Sequence, residues 1–342
     1  RRNMYPDDAY PVTSPAKMKF EGLSHHASMD KLMEMMDYDA LRADQAEARK
    51  QGKYRGIGIA SFIELTNPSP FMYGIGGARI SAQDGCTVRM DPDGSVVALS
   101  GVNEQGQGTE AMLSQVVAEG VGVLPSQVRV ITGDTQVTPY GGGTWASRGA
   151  GIGGEAALQA ARALRGSILE VAAAMLQADA GQLDIRDGQI VDADSGEQRM
   201  PLEELGRIVY FRGDTLPKDL PRELVQTRHF ITMEYPFAFT NGVQASYLEV
   251  DTDTGVVTLL KHWCIEDCGR VINPQLVDEQ IRGGIVQGLG GALYEEIHYD
   301  EDGQLLNGSM AYYLVPMAAE MPDMEVGHVE TPTKESELGA KG

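Results

Sequence analysis

Three glycine-bearing turns, each running into a segment of helical composition, constrain this chain more than any other feature. They are Gln105-Gly106-Gln107-Gly108, then Gly141-Gly142-Gly143-Thr144-Trp145-Ala146-Ser147-Arg148, and much later Asp267-Cys268-Gly269-Arg270-Val271-Ile272-Asn273-Pro274. Glycine has no Cβ, so main-chain N–H groups can approach a ligand closely, and a helix N-terminus carries partial positive charge. Three such turns in a chain of net charge −21 point to a large, anionic ligand rich in acceptors, held mainly by backbone amides.

At 342 residues the chain has room for about two domains of roughly 150 residues each. An acidic balance of this size argues against sequence-independent nucleic-acid binding, which needs Lys and Arg along one face. No apolar run approaches the ~20 residues of a membrane span, and no signal peptide is recognisable. The chain opens on Arg1 and ends at Gly342 inside a loop-like stretch, which reads as a piece of a longer polypeptide. Cys86, Cys264 and Cys268 make no disulfide framework, and no second pair or His cluster completes a zinc or iron–sulfur set.

The pattern predicts an α+β protein. An extended and helical segment occupies 1–50, with helical spacing of Met29, Leu32, Met33, Met36 and Leu41 over 28–49. That spacing favours packing over a soft-metal role for the methionines between Met18 and Met36. A first lobe covers 51–225: a buried strand at 54–64, a hairpin turning at Asp91-Pro92-Asp93-Gly94, the first glycine turn, and a helix over 110–120. A long helix at 154–177, a small hairpin at 183–194, a short helix at 201–209 and a linker at 217–221 complete it. A second lobe covers 226–342: a hairpin at 246–267, the third glycine turn, a helix at 274–293 and a strand at 310–314. Hairpin, glycine loop and helix thus occur twice, which predicts two similarly built lobes with the ligand site between them.

Other motifs carry less. Gly149-Ala150-Gly151-Ile152-Gly153-Gly154 is a formal G-x-G-x-x-G, but the residues before it are polar and glycine-rich where a dinucleotide fingerprint needs an apolar strand. A tight entry into a closely packed helix explains it better. There is no Walker sequence, and the six histidines, His25 and His26 included, form no metal-binding motif.

Taken in order, Gln105-Gly106-Gln107-Gly108, Gly133-Asp134-Thr135, Thr144-Trp145-Ala146-Ser147-Arg148, Asp267-Cys268-Gly269, Asn273-Pro274, Gln280 and Gln287-Gly288 resemble the molybdopterin-binding part of the large subunit of molybdenum hydroxylases. That family includes xanthine dehydrogenase, aldehyde oxidase and aerobic carbon monoxide dehydrogenase, and the resemblance covers essentially the whole chain. It implies molybdopterin, extended as the cytosine dinucleotide, with molybdenum held by the pterin dithiolene and no protein metal ligand. Gln105, Gln107 and Gln280 would meet pterin and phosphate edges, since Gln both donates and accepts. Main-chain amides at Gly106–Gly108 and 144–148, including Trp145 and Ala146, would take phosphate oxygens. Thr144 and Ser147 would add hydroxyls and Arg148 would neutralise charge. By resemblance Cys268 and Asn273 line the cofactor, while Cys264 stays a core thiol.

The resemblance further implies oxidation of a small substrate (CO, an aldehyde or an N-heterocycle) with water as the oxygen source. Electrons would leave through [2Fe-2S] clusters and FAD on partner subunits. It implies a dimer of heterotrimers in the cytoplasm, free or at the inner face of the membrane. The family's general base is a glutamate in a Gly-x-Lys-Gly-x-Gly-Glu loop; Gly339-Ala340-Lys341-Gly342 matches its start and stops short of the acid. Glu335 and Glu337 precede that loop and are not the base, so no catalytic residue is assigned within the chain, which is not expected to turn over alone. The alternative is a non-catalytic molybdopterin-binding or scaffold subunit. Two departures stand out: Glu279 where Gly is common, and Trp145-Ala146 where Tyr-Gly or similar is common.

Overall fold

The computed structural model describes residues 1–77, 79–218, 220 and 222–342; positions 219 and 221 of the expected linker lie outside the described residues. In chain order its elements begin with β1 (Val12–Thr13), β2 (Lys19–Phe20), α1 (His25–Met35), α2 (Tyr38–Lys50) and β3 (Tyr54–Thr66). Next come β4 (Asp84–Met90), β5 (Val96–Ser100), α3 (Thr109–Val121), β6 (Val128–Ile131) and α4 (Glu155–Leu176). Then follow β7 (Leu183–Arg186), β8 (Gln189–Asp192), β9 (Gln198–Pro201), α5 (Leu202–Phe211) and β10 (Val225–Phe230). The chain closes with β11 (Ala238–Val250), β12 (Val257–Asp267), α6 (Pro274–Leu293) and β13 (Asp323–His328). The single helix expected over 28–49 is two helices, because Asp37 turns left-handed (φ 46°) and caps α2 through its side chain.

These elements gather into two compact units of interleaved segments. Arg1–Tyr10, Gly22–Glu64 and Thr240–Thr331 form unit 1; Pro11–Glu21, Leu65–Phe239 and Pro332–Gly342 form unit 2. The expected boundaries at 50 and 225 do not coincide with them. The reason is a long-range pairing: β3 joins the sheet of β11 and β12, which no local pattern reports.

Unit 1 is built on the sheet β13-β12-β11-β3. Alternation along β12 sends Trp263 and Ile265 to one face, where they pack with Val243, Ala245 and Tyr247 of β11 and with Leu32 and Met36. Cys264 points the other way, against Ile281 and Ile285 of α6. The α1 methionines Met29, Met33 and Met35 are partly buried against this core, and Met36, just after the helix, is buried within it, which is packing as their spacing predicts. β3, expected to be buried, is largely exposed, Ile59 and Ile63 included. As the last strand of its sheet it has a neighbour on one side only.

Unit 2 is built on the sheet β10-β4-β5-β6, with a separate β7-β8-β9 sheet. The β4–β5 hairpin turns where expected, with Asp91 N–H donating to Ser95 O at 2.8 Å. Cys86, Val88, Met90, Val96 and Ala98 are buried with Leu113 and Val117 of α3 and Leu164 and Ile168 of α4. The alanine-rich start of α4 is buried as well, small side chains there permitting close packing.

Both units repeat one sequence of elements: antiparallel hairpin, glycine-bearing loop, helix, then a strand parallel to the second hairpin strand. The closing strands β6 and β13 extend the expected repeat by one element. The strand expected at 310–314 is instead a turn region, with Met310, Tyr312 and Leu314 exposed. Among the described residues no helix is long and apolar enough to cross a membrane.

Candidate functional site

In unit 2, β5 ends at Ser100 and the chain loops to α3, entering the helix through Gly108 at φ 83°. A side chain would be strained there. The loop amides are not free. Glu104 Oε1 accepts from Gln105 N (3.2 Å), Gly106 N (2.8 Å) and Gly108 N (3.0 Å), and Oε2 accepts from Glu110 N (3.0 Å). Burial opposes the charge on Glu104, but the four amides outweigh it and hold the carboxyl below its usual range. The Gly106 and Gly108 amides, expected to meet phosphate, are paired here with the adjacent Glu104 carboxylate.

The second glycine turn meets this loop. Gln105 Nε2 donates to Thr144 O at 3.2 Å, and the Thr144 hydroxyl donates to Asn103 O (2.8 Å) while accepting from Asn103 N (2.7 Å). Gln107 is drawn in too, its Oε1 accepting from Gln105 N at 2.6 Å. Gln105, Gln107 and Thr144, 39 residues apart at the closest link, thus occupy one place.

Arg148 faces inward. Its side chain is 0% exposed and lies 3.2 Å from Asp84, also 0% exposed. Its guanidinium donates to Ser81 O and Gln83 O, both at 2.7 Å. Asp84, buried and needing a partner, has claimed the charge expected to neutralise a ligand. Burial pushes the Asp84 carboxyl up, and Arg148 with the amides of Gly85 and Gly143 pulls it back. A Cβ on Gly141 would come within 2.6 Å of Asp84 Cγ, and one on Gly142 within 2.9 Å of Arg148 Cζ. Glycine is required at both positions because the ion pair fills the space. Trp145 closes the turn, its Nε1 donating to Gly142 O at 3.0 Å and its ring 5.4 Å from the guanidinium. Ala146 and Ser147 are both left-handed (φ 48° and 47°), which costs about 1–3 kcal/mol each and persists only where surroundings enforce it.

In unit 1, Cys268 follows β12 and is half-buried. Burial, then the charges of Glu266 and Asp267, push its thiol up to about 12, so it is a neutral donor near pH 7. Asp267 organises the turn by accepting from Gly269 N (3.0 Å) and Thr331 N (3.1 Å). Asn273 caps α6, its Oδ1 accepting from Leu276 N at 3.2 Å with Pro274 at the first helical position. Gln280 is exposed on α6 at helical spacing with Gly283, Gly284, Gln287 and Gly288, all exposed. Glu279 is also exposed.

Glu335 and Glu337 serve the fold. Glu335 accepts from the amides of Met233 (3.0 Å), Glu234 (2.6 Å) and Tyr235 (3.4 Å), and Glu337 pairs with Arg162. Sequence reasoning missed Asp84 and Glu104. An acid directly before Gln105-Gly106-Gln107-Gly108 is a visible signal for the second; nothing local marks the first.

The model of the molybdopterin cofactor-binding domain matches residues 31–322. The chain belongs to this family. It is 37% identical over 342 residues to the nicotine 6-hydroxylase large subunit of Paenarthrobacter nicotinovorans, covering all of this chain and 41% of that one. It is 30% identical over 349 residues to the carbon monoxide dehydrogenase large chain of Afipia carboxidovorans, covering 100% and 42%. Among solved structures, quinoline 2-oxidoreductase from Pseudomonas putida 86 superposes with a TM-score of 0.88 at 33% identity, covering 100% of this chain and 43% of that one. The chain therefore spans about two-fifths of these relatives' length and corresponds to the molybdopterin-binding portion of a molybdenum hydroxylase large subunit. The residues fit such a group. Gln105 and Gln107 carry the donor-and-acceptor chemistry a pterin edge needs, and they stand on the loop that Glu104 folds by taking its four amides.

Proposed function

We propose that this chain is the molybdopterin-binding portion of an enzyme that hydroxylates a small N-heterocycle with water as the oxygen source. Relatives whose printed names concern nicotine and quinoline are 37% and 33% identical, against 30% for the carbon monoxide dehydrogenase chain. The observation that carries the reading is the junction of the two glycine turns through Gln105 and Thr144 at 3.2 Å, which presents several amide side chains together. Bound there, the molybdenum cofactor would supply oxidation of the substrate and activation of water.

The chain's own residues bind and orient. Gln105 and Gln107 in unit 2, with Thr144 and Ser147, are the candidate contacts to pterin and phosphate; Gly106, Gly108, Trp145, Ala146 and Arg148 hold the turns that carry them. Cys268, Asn273 and Gln280 are the candidate contacts in unit 1. The α6 N-terminus, capped by Asn273, favours an anionic tail, in keeping with the cytosine dinucleotide form. Cys268 contributes a protonated thiol that donates a hydrogen bond. The remainder of the large subunit, an iron–sulfur subunit with [2Fe-2S] clusters and an FAD subunit would complete a cytoplasmic dimer of heterotrimers.

Metal, pterin and nucleotide analysis of the purified native complex tests this. About one molybdenum and one cytosine nucleotide per large subunit are expected, with nicotine- or quinoline-like substrates oxidised. Gln105→Ala should lower molybdenum content severalfold while stability changes by less than about 1.5 kcal/mol, the worth of one hydrogen bond. A complex free of molybdenum and pterin would leave the non-catalytic scaffold as the reading.

A further inference from the structure

Asn67 has no part in the contacts proposed above, yet it is buried and bonded to two distant segments. It follows β3, is 1% exposed and has left-handed backbone at φ 47°, a region asparagine enters more readily than most side chains. Its main-chain N–H donates to Ala146 O at 3.3 Å. Its Nδ2 donates to Ala340 O, also at 3.3 Å and 273 residues away. Gly151 lies so near that a Cβ there would come within 2.5 Å of Asn67 Cγ. The remaining polar atom, Oδ1, is buried and accepts no hydrogen bond.

Stability alone would not select asparagine here. Glycine would relieve the left-handed backbone and remove the orphaned oxygen. What asparagine adds is the Nδ2 donor, and its acceptor belongs to the Gly339-Ala340-Lys341-Gly342 segment, where Ala340 and Lys341 are buried. Asn67 therefore clasps two segments that local sequence cannot relate: the strained 144–148 turn and the stretch that, in the family, leads into the general base. The 332–342 segment has further anchors in Leu338 N–H to Glu155 Oε2 (2.9 Å), Lys334 N–H to Glu21 Oε1 (2.8 Å), the Met233, Glu234 and Tyr235 amides to Glu335, and the Glu337–Arg162 ion pair. None of these bonds the Ala340 carbonyl.

We propose that Asn67 is a positioning residue: by hydrogen-bonding Ala340 O and Ala146 O together it sets where the base-bearing loop stands relative to the 144–148 turn. It acts through those two segments. The inference deepens the functional reading above and rests on it for its kinetic consequence, but the clasp itself is a property of the chain.

The test uses the complete large subunit in its native complex, with Asn67→Gly, which keeps the backbone conformation, and Asn67→Asp, which keeps the shape but lacks the donor. Hydrogen exchange by mass spectrometry should show amides in 334–342 exchanging at least tenfold faster in both variants. Molybdenum and pterin content should match the unmodified complex, kcat should fall tenfold or more, and KM should move less than about threefold. Unchanged exchange in 334–342 in Asn67→Gly overturns the clasp. A fall in kcat merely proportional to lost molybdenum overturns the positioning role. Molybdenum and pterin in the unmodified complex judge the functional reading separately, and the exchange result stands whichever way that falls.

Discussion

Replacing Arg148 by methionine keeps most of the stem's volume and removes the charge and all its donors. The Asp84 carboxylate, 0% exposed, would then lie beside an apolar chain, and the carbonyls of Ser81 and Gln83 would lose 2.7 Å hydrogen bonds. Removing one partner of a buried ion pair costs about 3–5 kcal/mol. Of the two carbonyls, Gln83 O keeps the Gly142 N–H at 3.0 Å, so the further loss is the one hydrogen bond to Ser81 O, at most about 1–3 kcal/mol. Against a total stability of about 5–15 kcal/mol this is a large loss. In a domain of 150–250 residues it should lower the melting temperature by about 6–20 °C. The double variant Asp84→Asn with Arg148→Met removes the stranded charge and should recover more than about 1 kcal/mol relative to Arg148→Met alone. Thermal and urea unfolding of cofactor-free protein is the assay. A shift below about 2 °C for Arg148→Met, with molybdenum content nonetheless lost, would refute the structural assignment and return Arg148 to the ligand.

Three further outcomes are expected. Gly151→Ala forces a methyl against the Asn67 amide and should cost about 1–3 kcal/mol by overpacking, read by chemical denaturation. Glu266 is pushed up to about 7 by burial and by Glu64 and Asp267. Its folded state therefore holds the proton more tightly than the unfolded chain, so its favourable contribution is complete below about pH 4.5 and is lost as pH rises to about 7. Unfolding free energy should decline by on the order of 3 kcal/mol across that window, and Glu266→Gln should flatten the profile; an unchanged slope in that variant would contradict the assignment. Cys268, its thiol pushed up to about 12, should react with iodoacetamide at pH 8 at least 100-fold more slowly than in denaturant, and fast native labelling seen by mass spectrometry would show its surroundings to be other than described.

Much of this molecule follows from local pattern. The hairpins at β4–β5 and β11–β12, the helices α3 and α6 that follow them, and the glycine turns between are each set by alternation, turn chemistry and capping within a few residues of one another. Family membership is legible for the same reason, since ordered short motifs survive in sequence. The meeting of Gln105 with Thr144 is consistent with those motifs but visible only in space. Arg148 shows the limit most plainly: beside a glycine turn it reads as a cation for a ligand, yet an acid 64 residues earlier turns it inward.

Tertiary structure decided which polar groups remain available, because a buried donor or acceptor must be paired and the partner can come from anywhere in the chain. Glu104 takes the loop amides, Asp84 takes Arg148, and Asn67 takes Ala340 from 273 residues away. Pairing across such separations also set the interleaved units and left β3 at an exposed edge. Local chemistry chose the turns and helices; competition among buried polar groups chose what those turns hold.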